Sequence, residues 1–297
     1  MPLSDYLLYQ LAKRWPSPVR AMNTRIGAQP GSAEYAFGYA VDQFNGCVIR
    51  GLRTSVYGKE VLEIGCGHGG ISCFLAAAGA VRVLGIDLNT DNLQVAEQFA
   101  KHLSQRLGSG AMLPVTFVEM DAYDLRLEPE SFDLVVADNS FEHFDRPQEV
   151  MIQAARVLRP GGRLLVPSFS SILSKYALHL KHGLKLPWTQ LVFRERTIVR
   201  ALARMAKDDP ILLEHYPGLL NNPERVKDVR KHRDLNEITH RKFKTMARKA
   251  GLVVEWFRPI PTPLGHVFSP VPILRSSFIM DVLSTGASAC LRKPTAS

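Results

Sequence analysis

The sequence predicts an α/β fold, a doubly wound and mostly parallel sheet with helices on both faces, and two observations carry that expectation. From residue 59 onward, apolar strand-like runs at 59–64, 81–86, 115–119, 132–137 and 162–167 alternate with helical stretches at 69–78, 90–107 and 147–158. Strands and helices alternating at these lengths form a parallel sheet covered on both sides. The second observation is the stretch Val61–Gly70, where the buried-strand run Val61, Leu62, Ile64 stops at glycines 65, 67, 69 and 70 and an apolar helix pattern (Ile71, Phe74, Leu75) follows at once. Glycines at such a turn accept positive φ and let a ligand approach the main chain, while the helix start presents unpaired N–H groups.

Ahead of this core, Leu3, Leu7, Leu8, Leu11 and Trp15 recur at spacings of three and four. They define an amphipathic helix over residues 2–15, ended by Pro16 and Pro18. With only Lys13 and Arg14 as cations it is expected to pack on the main domain rather than lie on a membrane. Residues 31–53 read as a second helix. After the fifth strand the alternation breaks for about eighty residues, too long for a bare loop. Residues 173–184 and 197–205 read as helices, and Asp208–Pro210, Tyr216–Gly218 and Asn221–Pro223 as turns. Thr239 then caps a helix at 240–249, followed by a strand at 252–257, a helix at 276–284 and a last strand at 287–291. The expected domains are a helical N-terminal cap (1–52), a cofactor-binding core (53–170), a helical lid or substrate insertion (171–249) and a segment completing the sheet (250–297).

Charge divides unevenly along the chain. Residues 1–50 hold 5 basic and 3 acidic side chains, 51–170 hold 10 and 15, and 171–297 hold 22 and 10. The glycine turn therefore sits in acidic surroundings and the overall excess of +9 comes from the later part. Cysteines 47, 66, 73 and 290 form no metal-ligand spacing and read as reduced thiols of a cytoplasmic protein. No export signal is evident, and the apolar stretch 259–283 is too broken by prolines to span a membrane.

In a sheet of this kind ligands bind beyond the carboxyl ends of the strands, and polar residues fall at those ends. The second strand ends at Asp87, whose carboxylate suits the two hydroxyls of a ribose. The third ends at Asp121, placed to accept from an adenine amine, and the fourth runs into Asp138-Asn139-Ser140-Phe141-Glu142-His143. Taken alone, Gly65, Gly67 and Gly70 also fit a dinucleotide fingerprint. Five segments in order decide against it: Val61-Leu-Glu-Ile-Gly-Cys-Gly-His-Gly69, Gly85-Ile-Asp-Leu-Asn89, Asp121-Ala122, Ser131-Phe-Asp-Leu-Val-Val136 and Leu158-Arg-Pro-Gly-Gly162. Together, over 59–167, they resemble the class I S-adenosylmethionine-dependent methyltransferases.

The resemblance implies a Rossmann-like, seven-stranded sheet whose last strand runs antiparallel between the fifth and sixth. It implies S-adenosylmethionine as cofactor and a binding set of Glu63, Gly65, Cys66, Gly67, Asp87, Leu88, Asp121, Ala122 and Asn139. In it Gly65 and Gly67 line the methionine part, Glu63 orients the turn and Asn139 approaches the amino-acid end. A sulfonium cation suits the acidic segment, whereas a pyrophosphate favours basic surroundings. No metal is implied.

Methyl transfer needs an aligned acceptor and a dry site more than a dedicated catalytic motif. For a hydroxyl acceptor His143 is the candidate base, with support of the loop as its other reading; His215, His232 and His240 follow as weaker candidates. Asp138-Asn139-Ser140-Phe141 lacks the prolines of the loop common in base-directed amino methyltransferases, and no cysteine follows a proline as cytosine-C5 chemistry requires. The expected acceptor is a small molecule, lipid or glycan, methylated at oxygen and suited to anionic charge through Arg194, Arg196, Arg200 and Arg204 or Arg230, Lys231 and Arg233. Peripheral membrane contact is compatible with this pattern. The alternatives are a nucleic-acid methyltransferase using the basic lid, or an S-adenosylmethionine-binding protein without catalysis.

Overall fold

A computed structural model describes residues 3–14, 37–38, 40–41, 56–108, 112–175, 186–207, 236–268 and 278–295. In chain order it contains α1 (Leu3–Arg14), β1 (Glu60–Ile64), α2 (Gly70–Ala77), β2 (Arg82–Asp87), α3 (Thr90–Arg106), β3 (Val115–Glu119), β4 (Phe132–Val136), α4 (Pro147–Val157) and β5 (Leu158–Phe169). Then follow α5 (Thr189–Val192), α6 (Glu195–Ala206), α7 (His240–Lys249), β6 (Val253–Pro261), α8 (Pro263–Phe268), α9 (Phe278–Val282) and β7 (Ser284–Arg292). Residues 37–38 and 40–41 are helical, and the rest of the expected helix 31–53 lies outside the described residues. Residues 173–175 form a turn rather than the start of a helix. The remainder of 173–184, the three turns between 208 and 223, His215, His232, Arg230, Lys231 and Arg233 all lie outside the described residues.

The chain divides into two compact units, one of residues 26–169, 240–260 and 286–297, the other of 1–25, 170–239 and 261–285. The first holds the sheet, seven strands in the order β3-β2-β1-β4-β5-β7-β6. β1 pairs in parallel with β2 and β4, Leu62 facing Leu84 and Val135, whereas β7 runs antiparallel to β5. This is the seven-stranded Rossmann-like sheet that the resemblance implies. Its central strands are covered on both faces, which is why they are largely apolar, with Val61, Leu62, Ile64, Leu134, Val135 and Val136 all buried. α2 lays Ile71, Leu75 and Ala76 on Val61, Val83 and Leu134.

The segment Leu158–Gly162, between the helix expected at 147–158 and the strand expected at 162–167, is the bulged beginning of β5. Phe132 pairs with Leu158 and Leu134 with Arg163, so the intervening residues bow out of register. Two bonds of 2.9 Å, Gly161 N–H to Lys293 O and Lys293 N–H to Gly162 O, stitch the bulge to the end of β7. From it Arg159 reaches Glu60 (2.7 Å) and Asp133 (2.9 Å), and Asp133 also accepts the Glu60 N–H at 2.9 Å. Arg159 above all holds the Glu60 carboxyl below the usual carboxylate range, and Asp133 is lowered, against the opposing effect of burial, first by its bond from the Glu60 N–H and then by Arg159. The Leu-Arg-Pro-Gly-Gly motif thus clamps the amino ends of β1 and β4, the edge opposite to the ligand-binding one.

In the other unit α1 packs along α6, with Leu8 buried among Ile198, Val199, Ala201 and Leu202. Asp5 meets Arg200 at 3.3 Å and the Arg204 guanidinium lies 4.4 Å over the Tyr9 ring. Among the described residues no helix is long and apolar enough to cross a membrane.

Two outcomes follow from the packing of the sheet. A Cβ at Gly162 would lie 2.8 Å from the Arg159 carbonyl oxygen and 3.1 Å from that of Asp133, so Gly162→Ala forces the bulge to shift. The expected loss is about 1–3 kcal/mol in chemical denaturation, with no gain elsewhere to offset it. Glu63, buried in β1, accepts a short bond from Ser72 of α2; burial pushes its carboxyl up to about 8, Ser72 opposing the shift and the Asp138 charge adding to it. The folded chain keeps a proton that the unfolded chain releases above about 4.5, so this group's contribution is complete below that pH. It declines as pH rises through about 8, by on the order of 5 kcal/mol. Stability profiles of wild type and Glu63→Gln measured from pH 5 to 9 should differ in that slope, the glutamine variant being flatter.

Candidate functional site

The glycine turn is held by the neighbouring strand. The N–H groups of Gly65 and Cys66 both donate to the Ile86 carbonyl at 2.9 Å, and the Gly67 N–H donates to Asp87 Oδ2 at 2.9 Å. Gly67 has φ +50° and nothing within 4 Å of where a Cβ would stand, so the main chain there is open to a ligand. Gly65 and Gly69 are glycines for a different reason. A Cβ on Gly65 would come 2.8 Å from Ser140 Oγ, and one on Gly69 would strike Ala96 and Phe117 at 2.6 Å. The turn is therefore locked to the β4 exit on one side and to α3 and β3 on the other.

Asp87 uses both oxygens on the backbone, Oδ2 for Gly67 and Oδ1 for the Asn89 N–H at 2.9 Å, while Asn89 caps α3 through its own side chain. Asp121 accepts the Tyr123 N–H at 2.8 Å. At the β4 exit Asn139 adopts φ +48°, uncommon for a residue with a side chain, and is pinned by its N–H to the Ser168 carbonyl at 2.8 Å. Its Nδ2 donates to Asp138 Oδ2 at 2.9 Å. Ser140 Oγ donates to the Asp138 carbonyl at 2.9 Å. Phe141 is fully buried, edge-on to Phe144 and to Phe243, each at 5.6 Å, which anchors the loop carrying His143.

These strand ends enclose a cavity of about 360 Å³. Of the expected set, Gly65, Asp87, Leu88, Asp121, Ala122, Asn139 and His143 line it. Glu63, Cys66 and Gly67 do not: Glu63 and Cys66 are buried behind the turn, where burial above all keeps the Cys66 thiol protonated. Ile86, Met120, Tyr123, Ser140, Phe144 and Asp145 complete the wall. None of these six is assigned to the site from the sequence, although Ile86, Met120, Tyr123, Ser140 and Phe144 each adjoin a residue that is; what marks them is a position close to a strand end, not a residue type. The cavity is of small-molecule size, roughly 300–1,000 Å³ being usual. Asp87, Asp121 and Asp145 border it, with Tyr123 and Phe144 edge to face at 6.3 Å, and no lysine or arginine lines it. A cation carrying a flat base and a ribose fits that lining.

His240, considered as a base, is excluded by its surroundings. It begins α7 inside an aromatic cluster, 5.2 Å from Phe257 and 6.0 Å from Phe169, and burial, with Lys244 adding, pushes its imidazole down to about 3. It is a neutral core residue. Glu142, beside His143 in sequence, is fully buried, so it does not face solvent. Among the described residues no group of His, Cys, Asp and Glu is placed to hold a metal ion.

Residues 62–166 match a family model described as a methyltransferase domain. The chain is 34% identical over 135 residues to the ubiquinone biosynthesis O-methyltransferase of Haemophilus ducreyi, covering 44% of this chain and 53% of that one. It therefore spans about half the length of that relative. It is 31% identical over 175 residues to the protein of the same name from Thiobacillus denitrificans (58% of this chain, 72% of the relative). With the fatty-acid O-methyltransferase of Mycolicibacterium smegmatis the identity is 36% over 114 residues, 38% of each chain. The fold matches the crystal structure of the YcgJ protein from Bacillus subtilis at a TM-score of 0.50 and 16% identity, covering 86% of this chain and 100% of that one. Sheet order, motif positions and these similarities agree: the chain belongs to the class I S-adenosylmethionine-dependent methyltransferase family, whose methyl donor is S-adenosylmethionine.

Proposed function

We propose that this chain transfers the methyl group of S-adenosylmethionine to an oxygen of a small-molecule, lipid or glycan acceptor. The observation that carries the reading is the cavity bordered by Asp87, Asp121, Asp145 and His143 and lined by no lysine or arginine. Relatives named as O-methyltransferases of ubiquinone biosynthesis and of fatty acids support oxygen as the acceptor atom and favour a small or lipidic molecule.

When bound, S-adenosylmethionine supplies an electrophilic methyl on a sulfonium sulfur that becomes a neutral thioether as the methyl leaves. In this reading Asp87 accepts from the ribose hydroxyls with the lone pairs left over from Gly67 and Asn89, and Asp121 meets the adenine amine. Leu88 and Ala122 supply the apolar walls for the base. Asn139, held in its strained conformation, fronts the amino-acid end. His143, exposed at the cavity rim, takes the proton of the acceptor hydroxyl as its oxygen attacks. The acidic lining stabilises the cation before transfer, and its hold weakens once the sulfur is neutral, which favours product release.

A second reading has its own observation. α7 carries Arg241, Lys242, Lys244, Arg248 and Lys249 and no acid, a cationic helix suited to a nucleic-acid backbone. That reading requires binding of an oligonucleotide whose affinity falls steeply with salt.

Titration calorimetry tests the cofactor placement. Asp87→Ala should weaken S-adenosylmethionine binding by about 10- to 100-fold, as expected for loss of charge-assisted hydrogen bonds, and unchanged affinity would remove the ribose from this carboxylate. His143→Gln should leave that affinity in place and lower kcat about 100-fold or more toward a hydroxyl acceptor, found by incubating a host extract with methyl-labelled donor. A His143 variant with full turnover would assign the residue to loop support.

A further inference from the structure

A helix packed by one face on its neighbour ordinarily turns a polar face to water. α1 does not. Leu3, Leu7 and Leu11 recur every four residues, so they form one stripe, and all three are exposed, Leu3 at 72%. Asp5, Leu8 and Tyr9 lie on the opposite side and are buried in the pairing with α6. α1 is apolar on both sides, and only one of them is used inside the fold.

By itself α1 offers few cations, which argues against a membrane role. The structure removes that objection, because α6 brings what α1 lacks. Residues 194–207 hold Arg194, Arg196, Arg200, Arg204 and Lys207 against one acid, Glu195, and all five cations are exposed. Arg200 and Arg204 lie directly against α1, on Asp5 and on Tyr9. The one carboxylate of α1, Asp5, is buried and paired with Arg200, so it does not repel an anionic surface. Leu191 and Val192, immediately ahead of Arg194, are also exposed.

We propose that the α1–α6 pair docks on an anionic phospholipid surface, the leucine stripe entering the headgroup boundary and the arginines meeting lipid phosphates. This occupant uses both halves of the patch. A second copy of the chain would cover the leucines but bring two sets of arginines together, and a nucleic acid would use the arginines while leaving the leucines in water. The surface is argued from the two helices alone and does not depend on which acceptor is methylated.

Co-sedimentation of the full chain with phosphatidylcholine vesicles, with and without phosphatidylglycerol, tests it. Binding is expected only to the phosphatidylglycerol vesicles and should weaken as salt is raised. The double variant Leu7→Ser, Leu11→Ser should lower partitioning about tenfold or more, since both leucines then lose their apolar transfer. Arg194→Gln with Arg196→Gln should lower it about fivefold per charge removed. Cofactor affinity measured on the same preparations should be unchanged, which separates loss of the surface from loss of the fold. Absence of binding to anionic vesicles, or leucine variants that bind as wild type does, overturns the proposal. So does a concentration-dependent dimer that the leucine variants abolish, or arginine-dependent binding to duplex DNA insensitive to the leucines. No acceptor is needed in the experiment, so its failure leaves the methyl-transfer reading standing, and failure of cofactor binding would leave this one standing.

Discussion

The site depends on a small set of backbone hydrogen bonds that tie the β1–α2 turn to the end of β2. Gly65 and Cys66 share the Ile86 carbonyl, and Gly67 donates to Asp87. A turn with several glycines has many conformations in solution, and this tether selects one of them. Because Asp87 belongs to the next strand, the carboxylate at the end of β2 also shapes the glycine turn after β1. Ser140 closes the same loop from the other side, pressing on Gly65 so closely that no side chain is admitted there.

The two ends of the sheet divide their labour by charge. At the amino edge, Glu60, Asp133, Arg82 and Arg159 satisfy one another and leave little charge to offer a ligand. At the carboxyl edge, Asp87, Asp121 and Asp145 border the cavity with no lysine or arginine among its lining residues. Between them Glu63 is buried, with its proton, beneath α2, where it holds Ser72 and so fixes the start of that helix. Ion pairing suits an edge that must stay shut, and uncompensated carboxylates suit one that receives a cation.

Much of the sheet unit was legible because strand and helix periodicities there agree with the tertiary demand. Central strands covered on both faces must be largely apolar, and β1 and β4 are, through Val61, Leu62 and Ile64 and through Phe132, Leu134, Val135 and Val136. What misled was residue chemistry whose meaning depends on context. Leu158–Gly162 has the composition of a turn but is drawn into β5 as a bulge, because Lys293, just past the end of β7, pairs across Gly161 and Gly162. His240 has the chemistry of a base but sits among Phe169, Phe243 and Phe257, where an imidazolium cannot be solvated. The cavity wall was only half legible, since Met120, Tyr123 and Phe144 belong to it by geometry alone.

The sequence by itself determined the order of elements, the glycine turn and the carboxylates at successive strand ends. Each of these is encoded within a few residues, and their spacing along the chain maps directly onto neighbouring strands. Only the tertiary structure decided which groups share a cavity, which carboxyl keeps its proton and which helix α1 lies against. These are contacts between residues far apart in sequence: Ser140 against Gly65, Ser72 beneath Glu63, Arg200 beside Asp5. Local pattern carries no information on such pairings, because burial and the electrostatics that follow from it arise when distant segments exclude water from one another.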